Sequence, residues 1–205
     1  MKIIVYGASG HGKVIIDAMK ALNTPPALLW DDGAKPDQIC MGYPVLLPNF
    51  SLLQEDYSIV ISIGNNSIRK KIVNKIGPGV QFAKIIGPHA YISSQSYIGA
   101  GTMILTRVII HIDTHIGDHC IINTASVVEH DCEIDNYVHI SPGSIICGGC
   151  SIGEGTHIGA GAVVIPGIKI GKWCTIGAGA VIIRDVPDGS TVVGNPGRII
   201  KTNLF

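Results

Sequence analysis

Ile134-Asp-Asn-Tyr-Val-His-Ile140-Ser-Pro-Gly-Ser-Ile-Ile146-Cys-Gly-Gly-Cys-Ser-Ile152-Gly-Glu-Gly-Thr-His-Ile158 returns an isoleucine at every sixth residue. The count runs without insertion from Ile86 to Ile182, and every sixth position between them is Ile or Val. The residue four further on is nearly always small or β-branched, as at Thr102, Ser126, Cys132, Ser144, Cys150 and Ala162. Gly often follows the aliphatic residue, as in Ile98-Gly99, Ile152-Gly153 and Ile170-Gly171. A fixed six-residue period predicts a parallel β-helix. Each hexad is one short strand and a corner, and three hexads close a triangular coil. The aliphatic residue points inward, the small one fits beside it, and Gly is expected to relax the corners. Stacked about 4.8 Å apart, some five coils make a prism roughly 25 Å tall. A sandwich of alternating strands needs loops of varying length, which this count excludes.

Acidic and basic side chains balance at 15 each, the net charge is zero, and no basic run exists. That argues against a nucleic-acid surface. No apolar run reaches the roughly 20 residues of a membrane span. The chain opens on a strand rather than a secretory leader, so a cytoplasmic protein is expected. Cys120, Cys132, Cys150 and Cys174 occupy the small inward position and read as packing residues of a reducing compartment. Cys147-Gly-Gly-Cys150 has the spacing of a redox or zinc pair, but its members should face different sides and no second pair exists. The eight histidines admit a zinc-dependent β-helix reading, yet no converging ligand set assembles from them. No metal is expected.

Residues 1–80 differ in texture from residues 81–205, which defines two expected domains. Residues 2–6 are a buried strand, residues 7–12 a Gly-rich turn, and residues 13–22 a helix with Val14, Ala18 and Leu22 on one side. Strands follow at residues 27–30, ending at Asp31-Asp32, and at residues 57–63. Residues 67–76 form an amphipathic helix capped by Ser67 or Asn66. The Pro-containing segments at residues 24–26 and 42–44 read as surface connections. The result is a small Rossmann-like α/β unit. Its Gly-rich turn sits between strand and helix, where phosphates bind. The pattern is G-x-x-G-x-G, not the dinucleotide G-x-G-x-x-G, and the length supplies one mononucleotide half. A nucleotide-diphosphate ligand fits that size better than NAD, and a purely structural turn is the alternative. The acidic pair about twenty residues on falls where a ribose is commonly held.

Within the repeat, His130 follows the inward Val128 by two residues, which places it at a corner, facing out. Asp131 beside it can hold the ring and stabilise the imidazolium. One coil is eighteen residues, so Gly148 stacks on His130 and offers a backbone N–H to a reacting carbonyl. By the same count His157 stacks on His139, and Ala178 on Ala160, leaving room for a long thin ligand. Lys169, Lys172, Arg184, Arg198 and Lys201 concentrate positive charge toward the C-terminus, as a solvated face or as partners for phosphates.

Taken together, Gly7-Ala-Ser-Gly-His-Gly-Lys13, Asp31-Asp32, Ile63-Gly-Asn-Asn-Ser-Ile-Arg-Lys-Lys-Ile72, Asn123-Thr-Ala-Ser-Val-Val-Glu-His-Asp131, His139-Ile-Ser141 and Gly194-Asn-Pro196 carry a resemblance across nearly the whole chain. It resembles the bacterial sugar O-/N-acyltransferases, nearest the branch that N-acetylates UDP-4-amino sugars of the bacillosamine pathway. The resemblance implies a left-handed β-helix and a homotrimer with acetyl-CoA lying between neighbouring prisms. It implies His130 as general base with Asp131 at its side, where the family pattern carries Glu. It implies Asn123 as an acceptor-positioning residue, and His139 and the Gly148 backbone at the acetyl group. Ala160 and Ala178 would line the pantetheine groove. Gly10, His11, Lys13, Asp31, Asp32 and Asn65 would hold the uridine diphosphate. The expected reaction is acetyl-CoA-dependent N-acetylation of a UDP-linked 4-amino-4,6-dideoxy sugar. O-acetylation of a sugar such as sialic acid, and a non-catalytic nucleotide-sugar-binding protein, are the alternatives.

Overall fold

The computed structural model describes residues 2–54 and 56–203. The first part runs β1 (Lys2–Tyr6), α1 (Gly10–Ala21), β2 (Leu28–Trp30), β3 (Ile39–Cys40), β4 (Tyr43–Leu46), a 3-10 turn (Phe50–Gln54), β5 (Tyr57–Ile61) and α2 (Asn66–Ile76). The sheet order is β3-β4-β2-β1-β5. Its strands are parallel except for the β3–β4 hairpin.

Three local expectations shift. The segment around Pro44, read as a plain connection, is an edge hairpin, where a proline costs no ladder bond. α1 starts inside the Gly-rich turn and buries Gly12, Ile15, Ile16, Ala18 and Met19. Of the expected stripe only Ala18 is covered, because Val14 and Leu22 lie one position off the face that the longer Ile15-Ile16 pair occupies. α2 begins one residue early, and its cap is Asn65, whose Oδ1 accepts the Ile68 N–H at 3.0 Å.

The repeat forms seventeen two-residue strands, β6 (Ile85–Ile86) to β22 (Val181–Ile182), in three parallel sheets. Paired residues are eighteen apart, as in Ile110↔Val128 and His139↔His157. The expected register holds. The dry interior starts at Ile98 and runs to Val192. Ile86, at the open end, is 44 % exposed and does not join it. Each buried Ile or Val contributes about 1.5–3 kcal/mol before chain entropy. β23 (Ser190–Val193) and the antiparallel β24 (Arg198–Thr202) close the far end.

The small inward residues do more than fill space. Thr102, Thr114, Ser144 and Thr156 donate through Oγ to carbonyls fifteen residues ahead at 2.7–3.0 Å. Cys120, Cys132 and Cys150 do so through Sγ at 3.1–3.2 Å. Corner carbonyls that turn inward are thus satisfied without water. Corner strain also sits elsewhere than expected. The Gly after the aliphatic residue has ordinary φ. Its task is close approach: a Cβ on Gly153 would lie 2.7 Å from the Gly171 carbonyl carbon and the Lys172 nitrogen. The left-handed residue comes two positions later and is often not glycine, as at Asp113, Asp131 and Tyr137.

Each face of the prism presents a different outward row. On one, Ile85, Met103 and Ile121 are buried with Val5, Ile15 and Met19 of the N-terminal unit, and His139, His157 and Thr175 continue the row beyond it. This is the docked face. The polar face carries Tyr97, His115, Glu133, Ser151 and Lys169. The third carries Tyr91, Ile109, Val127, Ile145, Val163 and Val181. Beyond Tyr91 its row is wholly aliphatic, yet Ile109 is 37 % and Ile145 39 % exposed.

Candidate active site

The loops after β1, β2 and β5 lie together at the carboxyl edge of the parallel sheet. Strand order reverses on either side of β1, and such a crevice is where open α/β sheets take ligands. Gly7 adopts φ +120, and a Cβ on Gly12 would fall 2.0 Å from the Gly7 carbonyl oxygen, so both glycines are needed to seat α1 on the turn. Gly10 is different: its Cβ would meet open space. No side chain caps α1 and no acid lies in its first turn, so its leading N–H groups and positive end are open to an anion. Lys13 is exposed beside them.

Asp31 is already employed. Its Oδ2 accepts the Ala8 N–H at 2.8 Å and its Oδ1 the Gly33 N–H at 2.9 Å. It therefore ties the Gly-rich turn to the end of β2. Asp32 is exposed, 3.7 Å from Lys75 Nζ. Asn65 caps α2 and also accepts from Ser67 Oγ at 2.9 Å.

His11 reaches from the turn toward the prism, with its ring 6.2 Å from that of His139. Burial, aided by the Arg69 charge, lowers its pKa to about 4. Its Nε2 is buried and finds no partner among the described residues. His139 donates from Nδ1 to the Gly64 carbonyl at 3.3 Å, since a carbonyl can only accept. Its Nε2 accepts from Asn123 Nδ2 at 3.1 Å. The Thr124 N–H on Asn123 Oδ1 fixes that amide's orientation. His139 is thus a neutral, doubly bonded ring, with its pKa lowered to about 3 by burial and by the neighbouring His157, Arg69 and His11. His157 stacks on it at 4.8 Å, as the eighteen-residue count requires, and its Nε2 lies 2.8 Å from Ser141 Oγ.

His130 stands at another edge of the prism. Its Nδ1 is 2.6 Å from Asp131 Oδ2, and that bond raises its pKa. Asp131 holds φ +57, a left-handed conformation that Asp tolerates, and its short arm still reaches the ring. The Gly149 N–H donates to the His130 carbonyl at 2.9 Å. Gly148 stacks against the ring so closely that a Cβ would lie 2.5 Å from Cε1 and 2.7 Å from Nε2.

The expected site residues therefore fall into two groups. His130, Asp131 and Gly148 share the edge between the apolar and polar faces. Asn123, Ala160 and Ala178 lie on the edge between the docked and apolar faces, where Asn123 meets His139. Within one chain the apolar face separates the two. Three contributors went unread in the sequence. Arg69 and Asn66 tie the loop after β5 to the prism, with Asn66 Nδ2 donating to the Gly155 carbonyl at 3.0 Å. Ser141 engages His157. On the helix pattern Arg69 looks like a solvated charge, and only its place in the Gly-Asn-Asn-x-Ile-Arg segment sets it apart.

This architecture defines a hexapeptide-repeat transferase with a nucleotide-binding-type unit ahead of it. The PglD N-terminal domain matches residues 2–76, and the bacterial transferase hexapeptide (six repeats) matches residues 113–148 and 149–184. The chain is similar to UDP-N-acetylbacillosamine N-acetyltransferase of Bacillus subtilis (strain 168), at 41% identity over 109 residues. That stretch spans half of this chain and half of that relative's length. It is also similar to a histidine-to-asparagine variant of perosamine N-acetyltransferase from Caulobacter crescentus, solved with CoA and GDP-perosamine. There the TM-score is 0.92 and the identity 34%, over 98% of this chain and 97% of that one. The acetyltransferase domain of PglB from Neisseria gonorrhoeae FA1090, in complex with acetyl coenzyme A, superposes with a TM-score of 0.89 at 36% identity, over 97% and 98% of the two chains. The chain belongs to the family of hexapeptide-repeat sugar N-acetyltransferases that carry a PglD N-terminal domain.

Proposed function

We propose that this protein transfers the acetyl group of acetyl-CoA to the amine of a UDP-linked 4-amino-4,6-dideoxy sugar. The observation that carries the reading is the His130–Asp131 pair beneath a glycine that only a missing Cβ allows. His130 Nε2 takes a proton from the attacking amine while Asp131 holds Nδ1–H and stabilises the imidazolium. The Gly148 N–H, which donates to no acceptor among the described residues, stabilises the oxygen that gains charge as the C–N bond forms. The C–S bond then breaks, and His130 returns the proton to the departing thiolate. No nucleophilic side chain is paired with His130, so the amine attacks directly, and holding amine and thioester together supplies much of the rate. Asn123 positions the acceptor, Ala160 and Ala178 flank the pantetheine arm, and His139 buttresses the acetyl end. Gly10, His11, Lys13, Asp31, Asp32 and Asn65 surround the uridine diphosphate. The proposed chemistry calls for no metal. A cytoplasmic setting fits the free cysteines of the chain.

The exposed apolar face supports a homotrimer. Three prisms that turn this face to a threefold axis bury its row. The same packing sets the His130 edge of one copy against the Ala160 edge of the next. A homotrimer with each site built from two chains unites the two groups of residues.

The test is thiol release from acetyl-CoA with a UDP-4-amino-4,6-dideoxy sugar, with GDP-perosamine and sialic acid in parallel. Release with the UDP sugar is expected. Release with GDP-perosamine alone overturns the choice of nucleotide, and release with sialic acid alone overturns the choice of an amine.

A further inference from the structure

Arg69 is fully buried, yet no carboxylate faces its guanidinium among the described residues. Burial lowers its pKa only to about 10, so it stays charged at neutral pH. All of its partners are neutral. Nε donates to the His119 carbonyl at 2.8 Å. Nη1 donates to the carbonyls of Ile63 at 2.8 Å and Gly64 at 3.4 Å. Nη2 donates to Asn66 Oδ1 and the Tyr137 carbonyl, both at 2.8 Å. An uncompensated buried cation is costly. A methionine or leucine would fill the space but strand five acceptors, so the residue is there for these bonds and not for packing alone.

The geometry around the loop after β5 shows what the charge does. The carbonyls of Ile63 and Gly64 both turn toward the guanidinium. Their peptide bonds are trans, so the following N–H groups, of Gly64 and Asn65, point the opposite way. Neither donates to an acceptor among the described residues. These N–H groups sit at the start of α2, in a loop that lines a cavity of about 480 Å³ together with His139 and His157. Side-chain capping by Asn65 serves Ile68 and leaves both open.

We infer that Arg69 is a positioning residue for the sugar-nucleotide half of the reaction: it draws two carbonyls inward so that the N–H groups of Gly64 and Asn65 stand open to the diphosphate, and it locks this loop to coil residues 119 and 137. The inference rests on the functional reading above. Arg69 touches neither His130 nor the edge that bears it, and its one link to the acetyl end is the Gly64 carbonyl, which also accepts from His139 Nδ1.

Calorimetric titration of the wild-type chain and of Arg69→Lys with UDP, GDP and CoA tests it, alongside melting temperatures and steady-state kinetics. Lysine keeps the charge but offers three donors for five acceptors. The dissociation constant for the nucleotide and the KM for the sugar nucleotide are expected to rise about tenfold, the loss of one or two such bonds. CoA affinity stays unchanged. In Arg69→Ala, added guanidinium is expected to restore nucleotide binding. Unchanged nucleotide affinity in a folded Arg69→Lys overturns the inference. So does a parallel loss of nucleotide and CoA binding with the melting temperature, which marks a purely structural role. A wild-type chain that binds neither UDP nor GDP overturns the acceptor reading itself, and this inference with it.

Discussion

Replacing Gly148 by alanine isolates the placement of His130 from every other feature of the site. The added methyl would lie 2.5 Å from Cε1 and 2.7 Å from Nε2 of the imidazole. Carbon atoms pack at about 3.5–4.0 Å, so the ring must move by roughly 1 Å. It can do so, because the His130 side chain is 58% exposed. The backbone at Gly148 has ordinary φ, so the fold bears the change within about 0.5 kcal/mol. The N–H of residue 148 survives the substitution. What is lost is the 2.6 Å contact to Asp131 and the aim of Nε2. A displacement of about 1 Å at a reacting group costs on the order of 10²-fold in rate. Gly153→Ala supplies the contrast: its methyl meets backbone of the next coil at 2.7 Å, which cannot swing aside, so about 1–3 kcal/mol of stability is lost. The assay is kcat/KM by thiol release, with melting temperature on the same samples. If Gly148→Ala keeps kcat/KM within about threefold of wild type, the ring position beneath Gly148 does not govern the chemistry, and the assignment of His130 as base loses its geometric support.

Asp131→Asn removes the charge that raises the His130 pKa. The free-base form then persists to lower pH, so the acid limb of kcat/KM moves down in pH while the plateau falls; a limb that stays put refutes the pairing. His11, His119 and His139 are held neutral in the fold, at about 4, 4 and 3. The unfolded chain takes up these protons below about pH 6.5. Stability is therefore complete above that pH and declines as pH falls toward 4, by at most about 1.4 kcal/mol per pH unit for each ring. A denaturant midpoint that stays level between pH 6.5 and 4 contradicts this. Reassembling inactive His130→Ala chains with inactive Ala160→Trp chains should regenerate activity, since some interfaces then join two intact edges. No recovery in mixed trimers confirmed by sedimentation rules out a shared site.

Most of the prism is legible from one count. Residues eighteen apart stack, which correctly paired His130 with Gly148 and His139 with His157. The same count also holds the division of the site. Ala160 follows His130 by thirty residues, five hexads rather than a multiple of three, so the two occupy different edges. The outward rows were equally present in the chain: Ile85, Met103 and Ile121 precede their inward partners as plainly as Glu133 or Lys169 do. They became meaningful only when the N-terminal unit was seen to cover three of them. Arg69 was out of reach. Four of its five partners are backbone carbonyls, of residues 63, 64, 119 and 137, and a backbone carbonyl leaves no mark on a sequence. The role of Asp31 in bracing the turn is hidden for the same reason, since it binds backbone N–H groups.

The position of Asp131 shows how fold and chemistry constrain one another. All but two of the seventeen repeats, those of Gln95 and Asp185, place a residue in the left-handed region three places after the inward aliphatic. A carboxylate that directly follows the base therefore sits where β-branched and bulky residues are disfavoured. Asp meets that backbone demand at low cost, and its single methylene still spans to Nδ1 at 2.6 Å. A glycine at the same place would relax the corner and lose the partner. Asparagine would keep the corner and lose the charge. The side chain that serves the turn and the side chain that serves the imidazole are one residue, and each requirement alone admits several alternatives that the other excludes.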